Sequence, residues 1–450
     1  MTANPRLDHT VAKVTRRLLP FLLLMYVLSF LDRANIGFAK KAFQVDTGIS
    51  DAVYAFGAGI FFLSYALFEI PSNVVMHKIG ARIWMCRIMV TWGLISAAMM
   101  FAHSETTFYI LRFLLGAAEA GFFPGVILYL TYWIPAYKRA EVVGLFYFGA
   151  PIAFIAGGPL SGLLLDMHGV AGLNGWQWMF LVEGLLASVV GVWAYWYLDN
   201  RPGEAAWLSG EEKSVLGTAI DAEEHAKHAH GPKSLLPALT NPRVLYLCAI
   251  YFLIQVSVYG VVFYLPTQVA NLLGKNVGFE VGVVTAVPWI CAVAAAYLIP
   301  RYADLTGEKR ITAAVTLAVA GLGIAASTSV TSPFLALVAL CFAAAGFIAV
   351  QPLFWTFPTG YLAGAAAAGG IALVNSLGAL GGFVAPNVKT WAESAFASTS
   401  AGLYFLALTA LVGAALILGL KVLGLSAQER EASEVSALGD VRPTVPQAQR

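Results

Sequence analysis

Residues 199–243 read "DNRPGEAAWLSGEEKSVLGTAIDAEEHAKHAHGPKSLLPALTNPR", the one long polar stretch in the interior of the chain. Proline and glycine punctuate it, and acids, bases and histidines crowd it. Outward on either side the sequence turns apolar in blocks. Six precede it, at about 18–39, 52–76, 83–103, 106–134, 142–166 and 174–198. Six follow, at about 244–270, 278–300, 311–330, 333–357, 365–388 and 400–424. Each is near or above the roughly 20 residues that cross a hydrocarbon core. The expected fold class is therefore an all-α membrane protein with twelve transmembrane helices in two six-helix halves.

Composition agrees. Of 450 residues 59% are hydrophobic and 12% charged, against about 25% charged in soluble domains. A soluble enzyme is excluded, and a net charge of +2 is no footprint for nucleic acid. Cys86, Cys248, Cys291 and Cys341 stand singly in apolar blocks, without metal or redox spacing. His225, His228 and His230 have no acidic or cysteine residue spaced to complete a metal site. No metal or cofactor is expected. The N-terminus has basic residues before an apolar run but no small-residue cleavage site, so the first block reads as a retained helix.

With both termini cytoplasmic, 20 of the 27 Lys and Arg fall in cytoplasmic segments and 4 (Lys40, Lys41, Lys275, Lys389) outside. The positive-inside rule selects that orientation. The expected organisation is a cytoplasmic tail 1–17, a half 18–198, a cytoplasmic linker 199–243, a half 244–424 and a disordered tail 425–450.

Four charges lie well inside the blocks: Asp32 and Arg33 in the first, Arg112 and Glu119 in the fourth. Ionisable residues at membrane depth are expensive and mark functional sites. Arg112 and Glu119 are seven residues apart, close to two helical turns, and share one face. A static salt-bridge cluster joining the two helices is the competing reading, though two ion pairs are a costly way to do what small-residue packing does. From 311 to 388 there is no charged residue, so the second half offers only neutral hydrogen-bonding groups. Those are Gln255, Tyr259, Gln351, Trp355, Asn375 and Ser376. Asn375 is equally read as an interhelical bond, and Trp355 and Tyr65 taken singly as packing. Glu69 and Glu183 read as partners of loop arginines or helix caps, and Arg87 as a snorkelling side chain. Pro71, Pro124, Pro151 and Pro386 are expected bend points.

The halves echo each other: "HKIGAR" (77–82) and "ADLTGEKR" (303–310) occupy equivalent loops. The 6+6 split and the D-x-x-G-x-[RK]-[RK] pattern (Asp304, Gly307, Lys309, Arg310) resemble the major facilitator superfamily, although His77 departs from the pattern in the first copy. "SFLDRANIGFA", "RFLLGAAEAGFFPG" and "GWQWMFLVEG" resemble its anion:cation symporter branch, which includes bacterial carriers for tartrate, sugar acids and aromatic acids. The resemblance implies that Asp32 and Glu119 are the proton sites and that Arg33 and Arg112 bind or organise the anion. It also raises Tyr65, Trp355 and Asn375 as substrate contacts.

The charges suggest the mechanism. Two arginines against two carboxylates sum to zero, and an entering organic anion unbalances them. Protonating Asp32 or Glu119 restores neutrality and frees an arginine for the substrate carboxylate. Arg112 is favoured for that contact because no adjacent acid locks it. The expected partners are a small organic anion, a proton and the lipid bilayer, with no nucleic acid, and the expected state is a monomer in a bacterial inner membrane. An exporter of the same fold and a non-transporting sensor are the alternatives. Two arginines disfavour bulky cations, and linker and tail are too short for a signalling domain.

Overall fold

The computed structural model describes residues 5–230, 241–361 and 364–421; these are almost wholly α-helical, with no β-strand among them. The expected tail 425–450 lies outside the described residues, as do the side chains of His225, His228, His230 and Asp304. The first half contains α1 (Pro5–Thr47), α2 (Asp51–Ile79), α3 (Ala81–Ala98), α4 (Glu105–Glu119), α5 (Phe122–Trp133), α6 (Ala136–Tyr147), α7 (Gly149–Asp166) and α8 (Gly175–Tyr197). After α9 (Gly210–His230) come α10 (Pro242–Leu273), α11 (Phe279–Thr306), α12 (Lys309–Ser329), α13 (Pro333–Tyr361), α14 (Gly364–Ala395) and α15 (Ala401–Gly419).

Among the described residues eleven helical spans are long and apolar enough to cross a membrane. The 32-residue α14, packed on α2 and α10, completes the twelve. Helix is the expected answer because lipid offers backbone groups no partner. Polar residues set the helix starts. Ser50 Oγ accepts from the Val53 amide and Ser104 Oγ from that of Thr107, each at 3.2 Å. Asn241 caps α10 ahead of Pro242 at its first position.

The fourth and fifth blocks are each broken in two. Gly121, at φ +87°, ends the run of α4 and starts α5, a conformation that costs little only for glycine. The break leaves carbonyls without helical partners, and Arg87 on α3 supplies one. Its Nη1 donates to the Ala118 carbonyl at 3.3 Å, while its guanidinium lies 4.0 Å over the Trp84 ring. Arg87 therefore serves the break rather than snorkelling to the interface. Pro124 and Pro151 stand in the first turns of α5 and α7 just after the breaks, where a proline is tolerated. Pro71 and Pro386 lie inside α2 and α14.

Residues 5–17, the expected cytoplasmic tail, are helical and continue α1. This extension rests on α9: Arg6 pairs with Glu211, and Lys13 Nζ reaches Glu212 at 2.8 Å. Trp207 stacks on Trp133 at 5.6 Å, and the Arg17 guanidinium lies 4.9 Å from the Trp207 ring. We call this the linker end of the bundle and the opposite one, at the α1–α2 turn, the loop end.

The two halves meet along α1–α10, α2–α14 and α7–α11. Toward the loop end they approach backbone to backbone. A Cβ on Gly158 would fall 2.4 Å from the Gly282 carbonyl oxygen, and one on Gly37 would fall 2.7 Å from that of Phe263. Such contact through small residues is how helices associate in lipid. There too, Asp166 at the end of α7 accepts from the Phe279 amide at 2.8 Å. The cap position of α11 is Gly278, which has no side chain, so one half caps a helix of the other.

Candidate functional site

Consecutive helical residues project about 100° apart, so Asp32 and Arg33 part company. Asp32 turns into the first half. Its Oδ1 accepts from Ser96 Oγ on α3 and from Asn35 Nδ2 at 3.1 Å, and its Oδ2 is buried without a hydrogen bond from any described residue. Behind it Glu183 on α8 accepts from Ser161 Oγ on α7 at 2.7 Å and lies within electrostatic reach of Asp32. Among the described residues Glu183 has no arginine partner, one of the two roles (loop partner or helix cap) that the sequence suggested.

Arg33 turns toward the second half. Its Nε and Nη2 donate to Glu119 Oε1 at 2.8 and 2.7 Å, and its Nη1 reaches the Tyr259 hydroxyl of α10 at 3.4 Å. The rings of Tyr65, Phe30 and Phe61 lie 4.9, 5.2 and 5.7 Å from the guanidinium, close enough for cation–π attraction. Glu119, the last residue of α4, sits at the break, fully buried, with Oε2 unbonded among the described residues.

Arg112, favoured from sequence to meet substrate, is held within the first half in this structure. The side chain is 1% exposed, and Nε and Nη2 donate to the carbonyls of Gly57 and Ala58 on α2, at 3.2 and 3.1 Å. The missing adjacent acid, taken as freedom, is replaced by two backbone acceptors. The four-charge salt-bridge cluster is not formed either. Among the described residues the Arg33–Glu119 pair is the one salt bridge joining these four groups.

In the second half, Gln351 on α13 donates to Gln255 on α10 at 3.3 Å and accepts from the Tyr251 hydroxyl at 3.3 Å. Trp355, one turn beyond Gln351, meets the Tyr251 ring edge-on at 4.9 Å. Asn375 Nδ2 and Ser376 Oγ on α14 donate to Oε1 and Oε2 of Glu69 on α2, at 2.9 and 3.1 Å. Glu69 thus pairs across the halves and not with a loop arginine.

Arg33, Glu119, Tyr65 and Tyr259 are therefore together. Gln255, Trp355 and Asn375 line the facing half, while Asp32 and Arg112 are held within the first. Sequence analysis read Glu69 as a loop partner or helix cap, although it stands four residues after Tyr65 and so on the same face of α2. Among the described residues no cluster of His, Cys, Asp and Glu has the geometry to hold a metal ion.

A twelve-helix bundle with an arginine and a carboxylate buried between its halves is a membrane transporter, not an enzyme. The sequence model of the Major Facilitator Superfamily matches residues 22–386, and the chain belongs to that family. It is 53% identical over 416 residues to the inner membrane transport protein RhmT of Escherichia coli (strain K12), covering 92% of this chain and 96% of that protein. A putative tartrate transporter of Agrobacterium vitis is 46% identical, covering 91% of each chain. A quinolone resistance transporter of Acinetobacter baumannii is 39% identical, covering 90% of this chain and 93% of the other.

Proposed function

We propose that this protein imports a small organic carboxylate by proton symport, as a member of the anion:cation symporter branch. The observation that carries the reading is the Arg33–Glu119 ion pair beside Tyr259 of the opposite half. An arginine fork is the group best suited to grip a carboxylate, and here its own counter-ion is a protonatable side chain. Substrate carboxylate and Glu119 compete for one guanidinium. Protonating Glu119 removes the competitor and cancels the charge the anion brings, so anion and proton enter together while either alone is penalised. Asp32, with one carboxylate oxygen buried and unbonded, is the second proton site. Arg112 fixes α4 to α2 and organises the field around Asp32.

Tyr65, Tyr259, Gln255, Trp355 and Asn375 complete the substrate shell in this reading. The tartrate-named relative supports a carboxylate, and the distribution of Lys and Arg supports cytoplasmic termini in a bacterial inner membrane. The quinolone-named relative favours a second reading, efflux of an aromatic drug.

Proteoliposomes with an imposed pH gradient test both. We expect accumulation of a labelled carboxylate driven by inward proton flow. Glu119→Gln, a permanent mimic of the protonated acid, abolishes accumulation yet keeps exchange of labelled for unlabelled substrate. Asp32→Asn impairs uptake as well. Accumulation persisting in both variants removes the coupling assignment, and quinolone movement without carboxylate movement replaces import by efflux.

A further inference from the structure

We propose that Lys40 and Lys389 form a second anion site, at the loop end, which receives the substrate carboxylate before Arg33 does. The inference rests on the carboxylate reading above and adds a station on the way to the central site.

Of the four basic residues on this side of the bundle, Lys41 is exposed and the half-exposed Lys275 pairs with Glu280. Lys40 and Lys389 are drawn inward instead, their side chains 13% and 7% exposed. They come from opposite halves, on α1 and α14, yet converge on one ring. The Tyr264 ring of α10 lies 5.0 Å from Lys40 Nζ and 3.9 Å from Lys389 Nζ. Each ammonium has a carboxylate from its own half, Asp51 at 2.8 Å for Lys40 and Glu393 at 2.6 Å for Lys389. Among the described residues no salt bridge joins either lysine to an acid of the other half. Like charges brought together across an interface work against its closure. An anion passing between the two ammoniums is what such a placement serves.

The register of α1 ties this pair to the central site. Lys40 follows Arg33 by seven residues, close to two turns and about 10 Å along the axis, so both face the second half. Helix α10 runs beside α1 in the same direction and matches the two positions, with Tyr259 at Arg33 and Tyr264 at Lys40. Between them lies the seam at Gly37, where a Cβ would fall 2.7 Å from the Phe263 carbonyl oxygen. While that seam is shut, no carboxylate passes from one station to the other. Once it opens, one face of α1 offers an anion first an ammonium and then a guanidinium. The order suits a transfer inward, because an ammonium attracts as a point charge and a planar fork then grips.

Uptake of tartrate, a dianion, and of gluconate, a monoanion, by right-side-out membrane vesicles at low and high ionic strength tests this. Lys389→Gln should lower kcat/KM for tartrate about ten-fold at low ionic strength, a size that electrostatic steering supplies. The loss should be smaller for gluconate and should shrink as salt is added. Lys389→Arg, which keeps the charge, should retain most of the wild-type value. Glu393→Gln strips the ammonium of its own acid and should raise kcat/KM for tartrate. A pair that merely held α14 in place would give a loss in both Lys389→Gln and Glu393→Gln.

If Lys389→Gln fails to reach the membrane, Lys40→Gln, on the other half, must show the same dependence on substrate charge and salt. Losses that are equal for the two acids and indifferent to salt, or a loss in Glu393→Gln, overturn the inference and leave the carrier reading intact. Where the wild type takes up one acid alone, the salt dependence and the sign for Glu393→Gln decide. No uptake of either acid by the wild type overturns the carboxylate reading, and this inference with it.

Discussion

Arg33 and Arg112 are the same residue type in the same half of the bundle, and their surroundings give them different work. Arg33 lends its fork to a side chain that a proton can neutralise, whereas Arg112 spends Nε and Nη2 on carbonyls that never change charge. Substituting lysine separates the two, because an ammonium keeps the charge and loses the planar fork. Arg33→Lys should raise KM for substrate with little change in melting temperature. Arg112→Lys should cost about 1–3 kcal/mol of stability, the price of an unsatisfied buried carbonyl, with a smaller effect on KM. Thermal unfolding in detergent, beside uptake kinetics, reads both. That these charges mattered was legible from sequence, since few residues break an apolar block at such cost. Which of them face one another was not. Periodicity gives the face a side chain occupies on its own helix, but Gly57, Ala58, Ser96 and Tyr259 arrive from other helices.

At the scale of the element, the break after Glu119 shapes the site. A straight helix through 106–134 would keep every carbonyl bonded in place. The turn at Gly121 ends the ladder there, and Arg87 compensates at Ala118. Gly121→Ala should destabilise the protein by about 1–2 kcal/mol, the cost of a left-handed residue with a Cβ. The added carbon also falls 2.4 Å from Ser72 Oγ. Loss of uptake exceeding the loss of folded protein, measured by thermal melt and initial rate, is the expected outcome. The twelve blocks were readable because length and apolarity are local properties. The interruptions were signalled only by Gly121 with Pro124, and by Gly149 with Pro151, pairs that also occur in unbroken membrane helices. Residues 5–17 read as a tail because the partners that hold them, Glu211 and Glu212, lie about two hundred residues away.

At the scale of the molecule, an even number of spans puts the linker and both termini on one side. Reporters fused after residue 425 and within 205–235 should therefore both give a cytoplasmic signal, and a periplasmic signal at either would break the two-half organisation. The division of labour between the halves was also visible early, in the charge-free run 311–388. Their contacts were not, since a seam such as Gly158 against Gly282 needs two segments with no shared pattern. One such contact between the halves bears on the transport cycle proposed above. Asp166 caps α11 from the other half, so the bond exists only while the loop end is shut. A cap is worth about 1 kcal/mol, which corresponds to roughly a five-fold tilt in population. Asp166→Ala should shift the resting ensemble toward open loop ends by that factor, read as faster maleimide labelling of a cysteine at Asn387 in a background without the four native thiols. Each opening also uncovers the positive pole of a helix dipole at the mouth, so an arriving anion is met by the very amide that the departing carboxylate has released.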